Sequence, residues 1–242
     1  MLRALFATTV LAIASAAAQN PDPAKIMERA RISTTLTQTS LNGSLSKDGN
    51  RTPVSLFLRP GADNKPTGDI QFVYTTGGAE NRFHLRLGDG KYDLFEVAPN
   101  GTTTVFPNSK LTQPIAGTDL TFEDLSFRFF YWPDPKLEGT ENVKNFDCYK
   151  IRLNRPKGTA GQYAVVYVWV SVKEGAFVKV MGFDKTGAAL KKFEVEEIMN
   201  VGGGVYTLKK MSVSSMAGDR VTGLTTLLFD KPKDTNSPKS LR

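Results

Sequence analysis

The chain has 242 residues, a formal net charge of +7 and 40% apolar side chains, so it is long and apolar enough to bury a real core. One cysteine, Cys148, excludes an internal disulfide framework, and one histidine, His84, excludes a metal centre built from several imidazoles. The basic residues are scattered (Lys191, Lys192, Lys209, Lys210, then Lys231, Lys233 and Lys239), which reads as a solvated basic surface or as attraction to anionic headgroups.

The first residues carry the layout of a secretory signal peptide. Arg3 supplies a positive start, Ala4 to Ala14 form an uncharged apolar run too short to span a bilayer, and Ser15-Ala16-Ala17-Ala18 offers small residues for cleavage. A leader over 1–18, one domain over 19–230 and a flexible basic tail over 231–242 are expected. Cys148 is far from the cleavage junction, where a lipid anchor would need its cysteine, so a soluble exported protein is expected. Such a chain seldom meets nucleic acid, and none is expected as partner.

Downstream, turn signals alternate with runs rich in Val, Phe, Tyr, Thr and Leu. Asp48-Gly49-Asn50, Gly88-Asp89-Gly90, Asn100-Gly101, Lys185-Thr186-Gly187, Gly202-Gly203-Gly204 and Ala217-Gly218-Asp219 punctuate the chain. Asp-Gly and Asn-Gly allow the positive φ that a tight hairpin needs, so the pattern predicts antiparallel strands joined by hairpins, without the spacing of parallel units. In Tyr163 to Val170, Tyr163, Val165, Tyr167 and Trp169 share one face, and Ala164, Val166, Val168 and Val170 the other. With both faces apolar, that strand must be covered on both sides or line a cavity on one.

Two short helices are expected. Asp22 caps the first, with Pro23 in its opening turn and good helix formers through Ala30. The second lies in GTDLTFEDLSFRFFYWPDP, residues 117–135, where Phe122, Phe127, Phe129, Phe130, Tyr131 and Trp132 bring six rings into a single connecting segment. Thr121 and Asp124 form a capping pair, Phe122, Leu125 and Phe129 follow at helical spacing, Asp124 and Arg128 pair at i, i+4, and Pro133 ends the element. The expectation is a mainly β fold with short α: a large, curved antiparallel sheet whose apolar face is covered by helices acting as a lid.

Catalytic chemistry is not expected. Nothing in the spacing couples Cys148 to His84 as nucleophile and base. Glu123 and Asp124 point about 100° apart on a helix and read as first-turn acids favoured by the helix dipole. The glycines are hairpin glycines rather than a phosphate cradle. Neither a metal site nor a cofactor is expected.

The stretch Gly117-Thr118-Asp119-Leu120-Thr121-Phe122-Glu123-Asp124-Leu125 resembles a segment of the LolA-like outer-membrane lipoprotein-sorting proteins. The strand through Cys148-Tyr149-Lys150-Ile151, then Tyr163 to Val170, then Phe183-Asp184-Lys185-Thr186-Gly187-Ala188-Ala189-Leu190-Lys191 follow in that family's order, with Ala188 where the family often has Lys. The resemblance covers about residues 80 to 230. It implies a half-open barrel, a curved sheet covered by helices, and a periplasmic carrier that shields the acyl chains of a lipoprotein or lipid during transfer to the outer membrane. An inner-membrane exporter and an outer-membrane acceptor are its implied partners. The arginine that serves the well-studied carriers falls on no motif here. The candidate lipid-binding residues are Phe122, Leu125, Phe129, Trp132, Tyr167 and Trp169. The alternatives are a non-catalytic structural or interaction module of the cell envelope and, weakest, an envelope hydrolase using carboxylates.

Overall fold

The computed structural model describes residues 21–32, 39–60, 68–88, 91–202 and 205–232. The expected leader and nearly all of the basic tail lie outside them. Helix α1 spans Pro23–Ile32, with the Ala24 amide donating to the Asp22 carboxylate at 2.9 Å as the capping signal implies. Strands β1 (Thr39–Lys47), β2 (Asn50–Pro60), β3 (Gly68–Thr76), β4 (Ala79–Gly88), β5 (Lys91–Val97) and β6 (Thr103–Val105) follow as successive antiparallel neighbours. After a connecting segment come β7 (Lys136–Val143), β8 (Phe146–Asn154), β9 (Val165–Ser171), β10 (Phe177–Phe183), β11 (Ala189–Gly202), β12 (Val205–Ala217) and β13 (Arg220–Phe229).

All thirteen strands form one sheet, in the order β6-β5-β4-β3-β2-β1-β13-β12-β11-β10-β9-β8-β7. The chain starts at the middle of the sheet and walks outward by hairpins to β6 at one edge. It then crosses to the opposite edge at β7 and walks back until β13 pairs with β1, Gly43 opposite Phe229. β6 and β7 end the sheet without pairing to each other, so the sheet is open. At about 4.8 Å per strand, a flat sheet of this size would be roughly 60 Å wide. Yet Leu94 of β5 and Ile151 of β8 belong to one core cluster with Leu45, Phe193 and Phe229. The sheet therefore curves around the segments that lie on its covered face.

Two segments fill that face: α1, through Ile26, Met27 and Ala30, and the crossing segment 106–135, hereafter the strap. A smaller cluster of Cys148, Trp169 and Val178 sits on the outer face. In β9, Val166, Val168 and Val170 enter the main core while Trp169 and Tyr167 pack outside, so both faces of the strand are covered as its composition requires. No helix among the described residues is long and apolar enough to cross a membrane.

The strap's helix is shorter than its spacing predicts. Helix α2 covers Phe122–Ser126 and stops at Phe127, which adopts the left-handed conformation (φ 45°); a 3-10 turn over Arg128–Tyr131 follows. The expected helix through Phe129 is thus corrected, and with it the i, i+4 geometry assumed for Asp124 and Arg128. The reason is tertiary. The break lets the Phe127 ring reach Phe177 and Phe193, at centroid separations of 5.4 and 6.0 Å, and those contacts offset the modest cost of a left-handed residue.

Candidate functional site

The strap closes over the covered face with aromatic rings on both limbs of the sheet. Toward β3 and β4, the Phe122 ring meets Phe106, Phe83 and Tyr74 at 4.8, 5.9 and 6.4 Å. Toward β9–β11, Phe127, Phe129 and Phe130 pack on one another and on Phe177, Phe193 and Tyr163. Arg31 of α1 lies 5.2 Å above the Tyr131 ring, so the two covering segments touch. Phe129 is fully buried, whereas Phe122, Leu125, Phe127 and Tyr131 are only partly buried against the core.

Polar groups pin the strap to the sheet. The Asp119 carboxylate accepts from Ser215 at 2.7 Å, Thr225 at 2.9 Å and Lys47 at 3.1 Å, which ties the strap to β12, β13 and β1, the seam where the two limbs meet. Burial pushes the Asp119 carboxyl up, but these three hydrogen bonds outweigh it and hold it below its ordinary value. Lys191 of β11, itself buried, donates to the Asp119 carbonyl and to Ser215 Oγ at 2.8 Å. At α2, Thr121 Oγ1 accepts from the Asp124 amide at 3.2 Å while Asp124 Oδ2 accepts from the Thr121 amide at 2.8 Å, a capping box. The other Asp124 oxygen takes the Tyr163 hydroxyl.

Glu123 is also fully buried. Its Oε2 accepts from the Gln162 amide at 2.7 Å, and Oε1 has no hydrogen-bond partner among the described residues. Burial, reinforced by the neighbouring Asp124 charge, pushes its pKa up to about 7, against the opposing influence of the Gln162 amide, Arg128 and Arg155. Two glycines make room for the clamp. A Cβ on Gly182 of β10 would stand 2.3 Å from the Tyr163 ring, and one on Gly223 of β13 would stand 2.2 Å from Asp119 Oδ1.

A model of a family of uncharacterized proteins matches residues 90–235, more than half of the chain. The chain belongs to this family. Its fold is shared with solved structures of low identity. A DUF1329 family protein from Desulfovibrio piger aligns at 20% identity over 87% of this chain and 92% of that one, with a TM-score of 0.64. A domain named for outer membrane lipoprotein sorting, from Vibrio parahaemolyticus, aligns at 13% identity over 86% and 89%, with a TM-score of 0.65. A LolA superfamily protein from Nitrosomonas europaea aligns at 15% identity over 89% and 95%, with a TM-score of 0.60. No curated protein matches the chain.

Within the LolA-like fold the sequence candidates separate. Phe122, Leu125, Phe129 and Trp132 come together on the covered face, in the main core. Tyr167 and Trp169 do not join them: both lie on the outer face, with Lys150 Nζ 5.3 Å from each ring and Lys179 Nζ 4.5 Å from Trp169. The Trp169 indole donates to Glu141 Oε2 at 2.7 Å. The covered face is packed with side chains. The cleft beside the strap's turn at Ala116 and Gly117, about 170 Å³ and lined by Lys47, Asp48, Asn50, Thr52, Ala116, Gly117 and Thr118, is polar and smaller than ordinary ligand pockets of about 300–1,000 Å³.

His84 on β4 hydrogen-bonds Asp69 at 2.9 Å, and Cys148 on β8 is buried beneath Trp169 on the other limb. Burial, then the neighbouring Asp147 charge, pushes the Cys148 thiol up, away from nucleophilic character. Sequence reasoning missed the clamp. Glu123 and Asp124, read only as first-turn acids favoured by the helix dipole, are buried anchors, and Lys191 reads in sequence as one more surface lysine. The available signal was the run Asp119, Glu123 and Asp124 inside a segment otherwise rich in rings.

Proposed function

We propose that this LolA-like chain is a periplasmic carrier, delivered by its leader, that shields acyl chains of a lipoprotein or lipid on its covered face during transfer to the outer membrane. The observation that carries the reading is the strap. One connecting segment seals the apolar face of an open sheet, and its rings are held there by a few polar anchors while several remain partly accessible. Left-handed residues punctuate it, Ala116 and Gly117 ahead of α2, Phe127 just after it and Asp134 near the strap's end. Such points absorb large backbone changes without unfolding the strands.

The energetics fit reversible carriage. Each buried methylene contributes about 0.8 kcal/mol, so an acyl chain of about a dozen carbons gains near 10 kcal/mol before ordering costs. Displacing packed rings subtracts from that gain, which leaves an affinity compatible with release. Phe122 and Leu125, partly buried on the strap, are the residues we assign to first contact with the chain, with Phe129 and Trp132 beneath them. The reading is non-catalytic. An exporter in the inner membrane and an acceptor in the outer membrane are the partners it requires.

A second reading, a structural or interaction module of the envelope, is favoured by the filled state of the covered face. Native mass spectrometry of freshly purified protein separates the two. Lipid adducts removable by organic extraction support the carrier; clean apoprotein that also takes up no added lipid supports the module.

A further inference from the structure

The two tryptophans of the chain occupy opposite situations. On the outer face the Trp169 indole donates to Glu141 at 2.7 Å. On the covered face Trp132 is 4% exposed, its ring 6.4 Å from Phe129, and its Nε1–H has no hydrogen-bond partner among the described residues. A buried donor without an acceptor costs about 1–3 kcal/mol, and a buried tryptophan ordinarily finds one.

Most buried polar groups of the strap are paired. Thr118 Oγ1 donates to the Ile115 carbonyl and Ser126 Oγ to the Glu123 carbonyl, each at 2.8 Å, and Asp119 and Asp124 are multiply paired. Glu123 Oε1 also lacks a partner, but it lies against the Gly161 backbone, where a Cβ would stand 2.0 Å away, and a carboxyl can lessen the cost by holding a proton. An indole N–H has no such escape. It remains a donor at every pH.

We propose that the Trp132 Nε1–H is the polar anchor of the acyl-binding face, a donor for the carbonyl of an ester- or amide-linked acyl chain. This rests on the carrier reading and sharpens it: the protein would select acyl groups, which present a carbonyl at the head of a hydrocarbon, over hydrocarbon alone. Trp132 suits the role by its position. It closes the 3-10 turn, its amide donating to the Phe129 carbonyl at 3.1 Å, and it immediately precedes Pro133 and the left-handed Asp134. A ring at the base of the strap stays close to the sheet when the middle of the strap lifts.

The test compares displacement of a fluorescent fatty-acid probe by methyl palmitate and by hexadecane, in the parent protein and in Trp132→Phe. One hydrogen bond corresponds to roughly tenfold in affinity, so the parent is expected to prefer the ester by about that factor, and the variant to lose the preference. The indole N–H resonances of the parent, labelled with nitrogen-15, give a readout that needs no variant. The Trp132 signal is expected to move downfield with the ester and not with the alkane, while the Trp169 signal stays in place. Equal displacement by ester and alkane with an unmoved Trp132 signal overturns this inference and leaves the carrier reading standing. Failure of the parent to bind the probe or either competitor overturns both.

Discussion

The Tyr163 hydroxyl donates to the Asp124 carboxylate where both side chains are fully buried, joining the strap to the chain just before β9. Asp124 also caps α2, so one carboxylate holds the helix together and fastens it to the sheet. Burial raises its pKa, against the Lys191 charge and the Tyr163 and Thr121 hydrogen bonds. Tyr163→Phe leaves that carboxyl short of a donor in an apolar setting. The expected loss is about 1.5–3 kcal/mol, read as a lower urea midpoint with an unchanged m-value.

Glu123 gives the fold a pH dependence of defined sign. Its folded pKa, about 7, lies above the 4.5 of the free side chain, so the folded state holds the proton longer. The stability this contributes is fully present below about pH 4.5 and is lost as pH rises through 7. At 1.36 kcal/mol per unit the loss is about 3 kcal/mol. Asp119, with a lowered pKa, acts in the opposite sense and only at more acid pH, where its stabilisation falls away. Thermal unfolding is expected to show a lower melting temperature at pH 8 than at pH 5. Glu123→Gln is expected to flatten this slope and to melt above the parent at pH 8.

The hairpins of this fold were legible in the chain; the strap's role was legible only in part. Asp48-Gly49, Gly187 and Gly218 mark turns whose φ values are positive as expected, while the β7–β8 turn uses Lys144 and Asn145, left-handed residues that carry no glycine signal. The pairing of β1 with β13 joins the two ends of the domain, and no local pattern specifies it. Alternation in β9 revealed two apolar faces without saying which was inside, which is why Tyr167 and Trp169 were grouped with the strap rings. The break at Phe127 and the burial of Glu123 and Asp124 have the same origin. Local propensity favoured a continuous helix that uses the acids only at its first turn, and contacts from distant strands overrode it.

Phe122 and Phe129 are expected to respond differently to truncation. Phe129 is fully buried among Phe127, Phe130, Trp132 and Tyr163, and Phe129→Ala is expected to cost about 3–5 kcal/mol. Phe122 is partly buried, so Phe122→Ala is expected to cost clearly less while weakening displacement of a bound fatty-acid probe. Chemical denaturation and probe displacement on the same preparations check both halves. Equal destabilisation by the two variants would make the strap uniform core.

Cys148 is expected to be inert. It is buried on the outer face, its thiol pushed up, and its Sγ lies 3.4 Å from the Phe146 carbonyl. A thiol reagent at pH 8 is expected to label it only after unfolding, and Cys148→Ser is expected to cost about 1 kcal/mol with probe binding retained. Rapid labelling of the native protein would contradict its placement.

The carrier reading requires that the strap lifts to admit an acyl chain while the sheet stays folded. Hydrogen exchange, followed with and without a saturating fatty-acid probe, tests it at named amides. Glu123, Leu125 and Phe130 donate to carbonyls within the strap, and Ala164, just before β9, donates to Phe183 of β10. Saturable binding is expected, with faster exchange at these three strap amides and unchanged protection at Ala164 and through β9–β11. Absence of binding, or binding that leaves the strap amides as protected as before, would contradict it.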